Sequence, residues 1–531
     1  MNSKVFKSLM LGIVLICMIG VNFLQKEINI KRGELGLTRL EVLENAPPML
    51  AFTTVALGGF RGLIANVLWI RMTDLGDQGR YFETIQLADW ITKLEPTFAP
   101  VWNWQAWNLA YNISIKFNDP RQRWHWVNSG IKLLRDEGLV YNPDRASMYR
   151  ELSWFFQHKI GYYLDDYHMY YKTFWAQEME SLLGETMPLN WEKVLNPQTD
   201  DEKENVRRLK EEYKLDPQFM KKVDDKFGPL DWRLAEVHAI YWAMLGMEKS
   251  RKGDDLMPLQ RSIYQPMLIN FHRGRLITNP FNNTYEYRPN LDAIPNTDKA
   301  YLEFAEKDEV NRAHILSAHK NFLKDAIYFL YSYNRISEAA NYFREFAERY
   351  PDQNLLSGDS TSTPDKIALD EFVVERVEED VRDNSPDRVR GIIDGLLFSS
   401  FYALALSQED EATGNAAMAL KIWQKYQNEV NDTVSEERVG LPDFQSMRRS
   451  ALEQFLQIAD EREPLMGDAL RVRLNLPKRD ETSSGTQANE EQTSSPAQEI
   501  NRGGSSTGTS SSTNKTSTSG IPPVVANTPE R

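Results

Sequence analysis

The stretch GRYFETIQLADWITKLEPTFAPVWNWQAW, residues 79–107, contains two helical patterns separated by a short turn. In the first pattern apolar residues recur three or four positions apart, which places them on one face of a helix. Leu94-Glu95-Pro96 ends this pattern, because proline disrupts the hydrogen bonding of a helix interior. A second pattern, rich in tryptophan, begins directly after the proline. The stretch therefore predicts two consecutive helices joined by a turn.

The same spacing extends over most of the chain. It recurs in residues 63–175, 231–252, 257–277 and 297–350, and residues 390–474 accommodate three or four further helices. The sequence lacks the alternation of apolar and polar residues that, with hairpin turns, is typical of β-sheets. These patterns predict an all-α fold.

Several helical stretches place small residues, large residues and a closing proline in a recurring order. Ala339 and Phe343 lie four positions apart, and Pro351 follows them; Phe343 is expected to be a buried contact. The positions that fit the order are Gly79, Tyr81, Ala88, Pro96, Trp102, Ala106, Trp242, Leu245, Gly246, Ala339, Phe343, Pro351, Ala419 and Trp423. On these positions the chain resembles the tetratricopeptide repeat family, whose unit is a helix–turn–helix of about 34 residues.

The resemblance implies an irregular α-solenoid of helical hairpins, whose concave surface binds a protein or peptide partner. The repeats are divergent. After Trp102 the repeat is stretched, because Pro143 lies too far away to close it. After Gly246, Pro258 and Pro266 are expected to interrupt the helix.

The N-terminus predicts a membrane anchor. Lys4 and Lys7 precede residues 8–24, which carry no charge. This apolar stretch is near the lower limit of the length that spans a bilayer as a helix. A cleaved signal peptide is one alternative, although small residues of the usual cleavage pattern are not evident, and a buried helix is the other. The short N-terminal tail favours a single-pass protein of the inner (cytoplasmic) membrane, with its body on the extracytoplasmic (periplasmic) side.

Residues 50–70, LAFTTVALGGFRGLIANVLWI, raise a second membrane question. Arg61 lies in the middle of this stretch, and a charge there is costly in lipid. A buried helix packed through its glycines is the first interpretation. A re-entrant helix or a helix resting on the membrane is the second.

Changes in composition and turn-forming residues divide the chain into segments. The predicted division is an anchor at 1–27, a juxtamembrane linker at 28–49, a repeat-like helical region at 50–180, a charged helical insertion or linker at 181–230, a middle repeat region at 231–351, a loop at 352–363, a C-terminal helical region at 364–477 that begins with an acidic helix, and a disordered Ser/Thr-rich tail at 478–531. Residues 278–296, rich in Asn and Pro, are expected to form a loop.

Charge, cysteine content and motifs exclude several functions. The net charge of −14 disfavours nucleic acid as a partner. Cys17 is the single cysteine, which excludes disulfides and cysteine-based zinc sites. The sequence has no nucleotide-binding glycine motif and no nucleophile elbow. We therefore expect a non-catalytic protein without a cofactor or a bound metal.

Aromatic residues concentrate between residues 102 and 175, where they either fill the core or line a ligand groove. The residues expected to contact a partner are Trp104, Trp107, Arg121, Arg123 and Trp126. The main hypothesis is a membrane-anchored scaffold for protein–protein interaction at the cell envelope. The alternative is a glycan- or peptide-binding protein, or a hydrolase, with its site in this region. A metal or acid–base site at His158, Asp165, Asp166 and His168 is a minor alternative.

Overall fold

The computed structural model describes residues 60–282, 284–356, 361–379, 386–432 and 441–479, with a few isolated positions between 20 and 31. The predicted anchor, linker and tail therefore lie almost entirely outside the described residues. All the elements given below belong to one compact unit, Met1–Asn475, and Leu476–Arg531 form a second unit. Among the described helices none combines the length and the apolarity that crossing a bilayer requires.

Helices dominate the first part of the described chain. They are α1 (Phe60–Asp77), α2 (Tyr81–Leu94), α3 (Ala99–Trp107), α4 (Pro120–Lys132), α5 (Leu139–Tyr141), α6 (Ala146–Trp154) and α7 (His168–Leu183). Three of them continue into wider π-helical segments, which are Asn108–Ile113 after α3, Leu133–Gly138 after α4 and Phe155–Ile160 after α6. A 3-10 turn, Ser114–Lys116, follows the first π-segment.

The remaining helices extend to residue 473. They are α8 (Trp191–Leu195), α9 (Asp200–Glu211), α10 (Pro217–Phe227), α11 (Ala235–Lys249), α12 (Met257–Arg273), α13 (Ile294–Lys307), α14 (Arg312–Ser332), α15 (Ile336–Arg349), α16 (Leu369–Glu379), α17 (Pro386–Ala405), α18 (Glu409–Asp432), α19 (Phe444–Arg462) and α20 (Pro464–Arg473). A 3-10 turn, Leu291–Ala293, precedes α13. The prediction of an all-α fold is confirmed for the described residues.

Local sequence explains where several helices begin. The side chain of Asp119 accepts a hydrogen bond from the backbone of Arg121, and Pro120 occupies the first turn of α4, where its missing N–H is not needed. Thr199 and Glu202 form a reciprocal capping box at the start of α9. These caps satisfy backbone N–H groups that a helix leaves without partners at its N-terminus.

One segment that was predicted to be loop contains a short hairpin. Strands β1 (Arg275–Thr278) and β2 (Tyr285–Arg288) pair antiparallel, with Arg275 opposite Arg288. The loop prediction for 278–296 is therefore wrong at residues 278 and 285–288, and also at 291–296, where a 3-10 turn leads into α13. The helical pattern predicted for 257–277 ends at Arg273, and residues 275–277 belong to β1. Long-range side-chain contacts override the local loop signals here: Arg233 donates to the Leu276 carbonyl at 2.6 Å, and Arg288 donates to Glu411 at 3.0 Å.

The charged segment 181–230 is helical, and its apolar residues join the core. Helices α8, α9 and α10 lie within it, and Leu209, Met220, Val223 and Phe227 are buried. Because α6 packs directly against α11, these helices form an insertion between two neighbouring helices rather than a linker between domains.

Another difference concerns Pro266, which lies inside α12 without ending it. The sequence predicted an interruption there. Helix α12 packs against α11 and α13, and this packing offsets the loss of one backbone hydrogen bond. Pro258 lies in the first turn of α12, where proline is well tolerated.

Three helical hairpins share one turn geometry. Gly79, Asn334 and Ser407 have positive φ values of 72°, 60° and 66° in the turns α1–α2, α14–α15 and α17–α18. The N–H of the next residue donates to the carbonyl five positions earlier in each turn. These bonds are Arg80 to Leu75 at 2.9 Å, Arg335 to Leu330 at 2.8 Å and Gln408 to Ala403 at 2.8 Å. The turns are therefore equivalent C-terminal caps of the first helix of each pair.

The equivalence continues along the second helix of each hairpin. Five positions after the turn residue a small side chain is buried in all three hairpins, and twelve positions after it a further residue is buried. The small residues are Thr84, Ala339 and Ala412, and the later residues are Ile91, Phe346 and Ala419. Arg80 pairs with Glu83, and Arg335 pairs with Glu338 at the same relative positions.

Most of the repeat-like positions named above are buried. Ala88, Trp102, Ala106, Trp242, Ala339 and Ala419 belong to the core, and the Trp102 indole donates to the Pro96 carbonyl at 2.9 Å. Gly246 allows α11 to approach α6, because a Cβ atom there would lie 2.5 Å from the Cβ of Tyr149. Tyr81, Leu245, Phe343 and Trp423 are half-buried, and Pro351 is exposed. Phe346, rather than Phe343, is the fully buried aromatic residue of α15.

Candidate functional site

A row of six aromatic rings crosses the surface where α3, α6 and their π-segments meet. Trp107 stacks on Tyr111 with ring centroids 5.5 Å apart, and the Tyr111 ring lies 5.9 Å from that of His158. Trp154 also stacks on His158, with ring centroids 4.5 Å apart and ring planes nearly parallel at 11°. The row continues from His158 to Tyr162 at 5.7 Å, and then to Tyr163 at 4.2 Å. We refer to these six residues as the aromatic ladder.

The ladder is open to solvent at three of its members. Trp107 exposes 41%, Trp154 38% and Tyr163 58% of its surface. Tyr111, His158 and Tyr162 are half-buried. Buried aromatic residues such as Phe155, Phe156 and Trp175 form the core beneath. The aromatic residues of this region therefore serve both as core and as exposed surface.

Two π-segments position the ladder. Asn108–Ile113 begins directly after Trp107, and Phe155–Ile160 begins directly after Trp154. A π-turn widens the helix and shifts the following side chains, and such turns recur at functional sites. Tyr111 and His158 occupy the same place in the two segments, and their side chains lie within hydrogen-bond distance, 3.1 Å from OH to Nδ1.

A charged cluster lies beneath the ladder. The Nζ atom of Lys159 donates to Asp165 Oδ2 at 2.5 Å, and Arg123 Nη1 donates to Asp165 Oδ1 at 3.3 Å. The backbone N–H of Tyr167 and the phenol of Tyr171 also donate to Asp165 Oδ1. All three charged side chains are more than nine-tenths buried. Asp165 is thus satisfied by four donors and holds two cations in place.

The two cations also contact aromatic faces. Lys159 Nζ lies 4.9 Å from the ring centroid of Tyr111, and the Arg123 guanidinium lies 4.4 Å from that of Tyr167. Arg123 donates in addition to the Phe117 carbonyl at 2.6 Å. A cation above a ring is attracted to the π-system, so the contact of Lys159 with Tyr111 ties the charged cluster to the ladder, whereas Tyr167 lies outside the ladder.

Burial and neighbouring charge shift several pKa values here. Burial lowers the pKa of Lys159, although Asp165 counteracts this. Burial alone would raise the pKa of Asp165, but the bond and charge of Lys159, together with Tyr167 and Arg123, hold it below its usual value. Asp165 therefore remains ionised near neutral pH.

The histidines near the ladder are predominantly neutral at neutral pH. Burial and the charge of Lys159 lower the pKa of His158. Burial, Lys172 and Arg273 lower the pKa of His168, whose Nδ1 lies 3.2 Å from Lys172 Nζ. Burial raises the pKa of Tyr111, so its phenol stays protonated. The ladder consequently presents uncharged aromatic rings with polar edges.

The residues expected to contact a partner lie in different environments. Trp104 is half-buried and packs against the core, whereas Trp107 is exposed within the ladder. Arg121 is exposed, and Arg123 is buried in the charged cluster, where its side chain is inaccessible to a partner. Trp126 is half-buried and stacks on Phe117 at 6.0 Å, apart from the six ladder rings.

The residues of the alternative metal or acid–base site make separate contacts and do not converge. His158 belongs to the ladder, Asp165 to the charged cluster, and His168 lies beside Lys172. Across the part of the chain that the structure describes, no group of three potential ligands is arranged to hold a metal ion.

The sequence analysis did not identify Trp107 and Trp154, or Tyr111 and His158, as equivalent positions of two helices that continue into π-segments. Both pairs are 47 positions apart, so an internal comparison at that spacing would have aligned them. Comparisons of the chain with protein-family models, curated proteins and solved structures gave no match.

Proposed function

We propose that this protein is a membrane-anchored helical-repeat scaffold that binds a protein partner through the aromatic ladder and catalyses no reaction. The ladder carries the proposal. Its exposed rings are rigid and amphipathic, and they lie on a cluster whose charges are internally paired. Tryptophan and tyrosine in such positions contribute much of the energy of protein interfaces.

The repeated hairpins support the scaffold part of the proposal. Three hairpins share a turn with positive φ and the same buried small position, and Gly414 of α18 lies against the α14–α15 turn, where a Cβ atom would approach the Ser332 carbonyl oxygen to 1.8 Å. Close packing of neighbouring hairpins is typical of divergent tetratricopeptide-like solenoids. Residues 8–24 would anchor this body at the inner membrane, with the body on the extracytoplasmic side.

The chemistry of the ladder favours an uncharged partner segment with apolar or proline side chains. Flat rings accept such side chains between them, and aromatic-lined grooves recognise proline-rich segments in this way. The edges of Tyr111, His158 and Tyr162 offer hydrogen bonds to the backbone of such a segment. A strongly charged partner would find no exposed complementary charge among the six rings.

The test is partner recovery from native membranes with ladder variants of the full chain. Trp107→Ala with Trp154→Ala should abolish stoichiometric recovery while leaving the melting temperature unchanged within about 2 °C, because both rings are partly exposed. Trp90→Ala is the matched control, since Trp90 exposes 45% of its surface on α2 and lies outside the ladder. Equal recovery with all variants would refute the ladder as the binding surface.

A second candidate is a glycan-binding protein or hydrolase at the same place. Two carboxyl groups influence the phenol of Tyr111, and their pKa values shift in opposite directions. Burial raises that of Glu151, and Lys159 and Arg123 hold that of Asp165 low. Glycoside hydrolysis uses one carboxylic acid and one carboxylate. Glycan cleavage that is lost with Glu151→Gln, with the fold intact, would favour this candidate over the scaffold.

A further inference from the structure

Helix α1 is apolar on two sides, although only one side is covered by protein. Met72 and Leu75 are buried, and α1 packs against α2. On the exposed side Phe60 exposes 71%, Leu63 61%, Val67 60% and Ile70 62% of its surface. A helix that is hydrophobic all round is normally covered on all sides, so this face is expected to have a further partner.

Charge is nearly absent from this exposed face. Arg61 is the only charged residue between 60 and 70, and its Nε lies 3.2 Å from Glu95 Oε1. Charged residues begin at Arg71 and continue with Asp74 and Asp77, where the apolar face ends. The face therefore changes sharply from apolar to charged along the helix axis.

The apolar character extends beyond the helix in two directions. Upstream, residues 50–59 carry no charged side chain. Beside α1, Trp69 meets Phe98 with ring centroids 5.6 Å apart, and Phe98 exposes 40% of its surface. Trp69 itself is half-buried. Aromatic residues beside an aliphatic surface are typical of helices at the membrane interface.

We propose that the exposed face of α1, formed by Phe60, Leu63, Val67 and Ile70, rests on a lipid bilayer. The inference rests on the proposed anchor at residues 8–24. Only 35 residues, 25–59, separate the proposed anchor from α1, so an anchored chain keeps α1 in the neighbourhood of the lipid. Lipid suits this face better than a second protein does, because its residues offer apolar contact without hydrogen-bonding side chains.

The experiment places one fluorescent probe on the full chain. Cys17→Ala removes the single cysteine, and Val67→Cys introduces one on the exposed face of α1 for labelling with an environment-sensitive nitrobenzoxadiazole dye. The matched control is Val310→Cys, since Val310 is 91% exposed between α13 and α14. Both labelled proteins are reconstituted into phosphatidylcholine vesicles with and without lipids that carry a nitroxide on the acyl chain.

Contact with lipid predicts that the nitroxide quenches the probe at position 67 at least threefold more strongly than the probe at position 310. Equal quenching at the two positions overturns the inference. A blue-shifted emission at position 67 without lipid quenching also overturns it, because a second protein copy or another segment would then cover the face.

The same samples separate this inference from the proposed function. One outcome is a chain that resists alkaline carbonate extraction from the vesicles and yet shows no excess quenching at position 67. This result supports the anchor and overturns the contact of α1 with lipid. A chain that carbonate extracts completely lacks the anchor, which overturns the inference together with the membrane part of the proposed function.

Discussion

The Nζ atom of Lys159 lies 2.5 Å from Oδ2 of Asp165, and both side chains are more than nine-tenths buried beneath the aromatic ladder. A buried pair of this kind matters mainly through what remains when one partner is lost. Removing one charge leaves the other without compensation in a medium that solvates it poorly.

Asp165→Ala should therefore destabilise the protein strongly. The substitution leaves Lys159 and Arg123 buried without their carboxylate, and such losses cost about 3–5 kcal/mol. Urea unfolding followed by circular dichroism measures the change. Adding Lys159→Met to Asp165→Ala should restore part of the stability, because one of the two uncompensated cations is gone. A double variant that loses as much as the two single variants combined would show that the pair is not coupled.

The acid dependence of stability should also change with Asp165. Its pKa in the folded chain lies below the value of about 3.9 for an unfolded aspartate. Its contribution is therefore complete above that value and is lost as the pH falls through the lower, folded pKa. Asp165→Asn should reduce the loss of unfolding free energy between pH 5 and pH 2, measured by denaturant unfolding at each pH. An unchanged loss of stability in acid would exclude Asp165 as its cause.

His238 should make the protein less stable in mild acid. Burial lowers the pKa of His238 to about 4, whereas an unfolded histidine titrates near 6.5. The unfolded chain therefore takes up a proton first, and stability falls by about 3 kcal/mol as the pH decreases from about 6.5 to about 4. His238→Gln, whose amide can donate to the Trp232 carbonyl, should remove this part of the pH dependence. Parallel pH profiles of the two proteins would contradict the prediction.

The equivalent turns make a prediction about Gly79. Its φ of 72° is unfavourable for most residues, but asparagine occupies the equivalent place at Asn334. Gly79→Ala should cost about 1–2 kcal/mol because of the left-handed backbone. Gly79→Asn should cost clearly less. A Cβ atom at Gly79 would meet nothing within 4 Å, so thermal unfolding of the two variants compares backbone preference without a clash.

Phe346 should contribute more to stability than Phe343. Phe346 is fully buried in α15, whereas Phe343 is half-buried. Phe346→Ala should cost about 3–5 kcal/mol, the usual effect of emptying a buried phenylalanine site. Phe343→Ala on the same helix serves as the matched comparison, with less than half that loss expected. Equal losses in chemical denaturation would show that the core surrounds both rings equally.

Several features of the fold were predictable because they depend on local spacing. Ala339 and Ala419 follow from the helical stripe that contains them, and Pro96 follows from the turn it closes. The equivalence of Gly79, Asn334 and Ser407 was hidden, because three different residues adopt the same backbone conformation. The shared geometry becomes visible only in the φ values and in the hydrogen bonds that close each turn.

Other features required contacts between distant parts of the chain. Residues 275–277 continue a helical pattern and residues 278–288 have the composition of a loop, yet Arg233 and Glu411 hold two short strands in place there. The helices of 181–230 carry many charges, yet Phe227 is buried in the core. Local composition underestimates burial in both cases, because the partners that cover these residues come from other segments.

The sequence alone determined that this chain is helical and where several of the turns between its helices lie. It also determined that the aromatic residues concentrate between 102 and 175. These properties depend on residues a few positions apart. Only the tertiary structure decided that Trp107 and Trp154 face solvent while Trp102 and Trp175 fill the core. The physical reason is that all four lie on helices rich in aromatic residues, and contacts with distant segments cover only two of them. Trp102 stacks on Tyr141, and Trp175 meets Phe156 and His238.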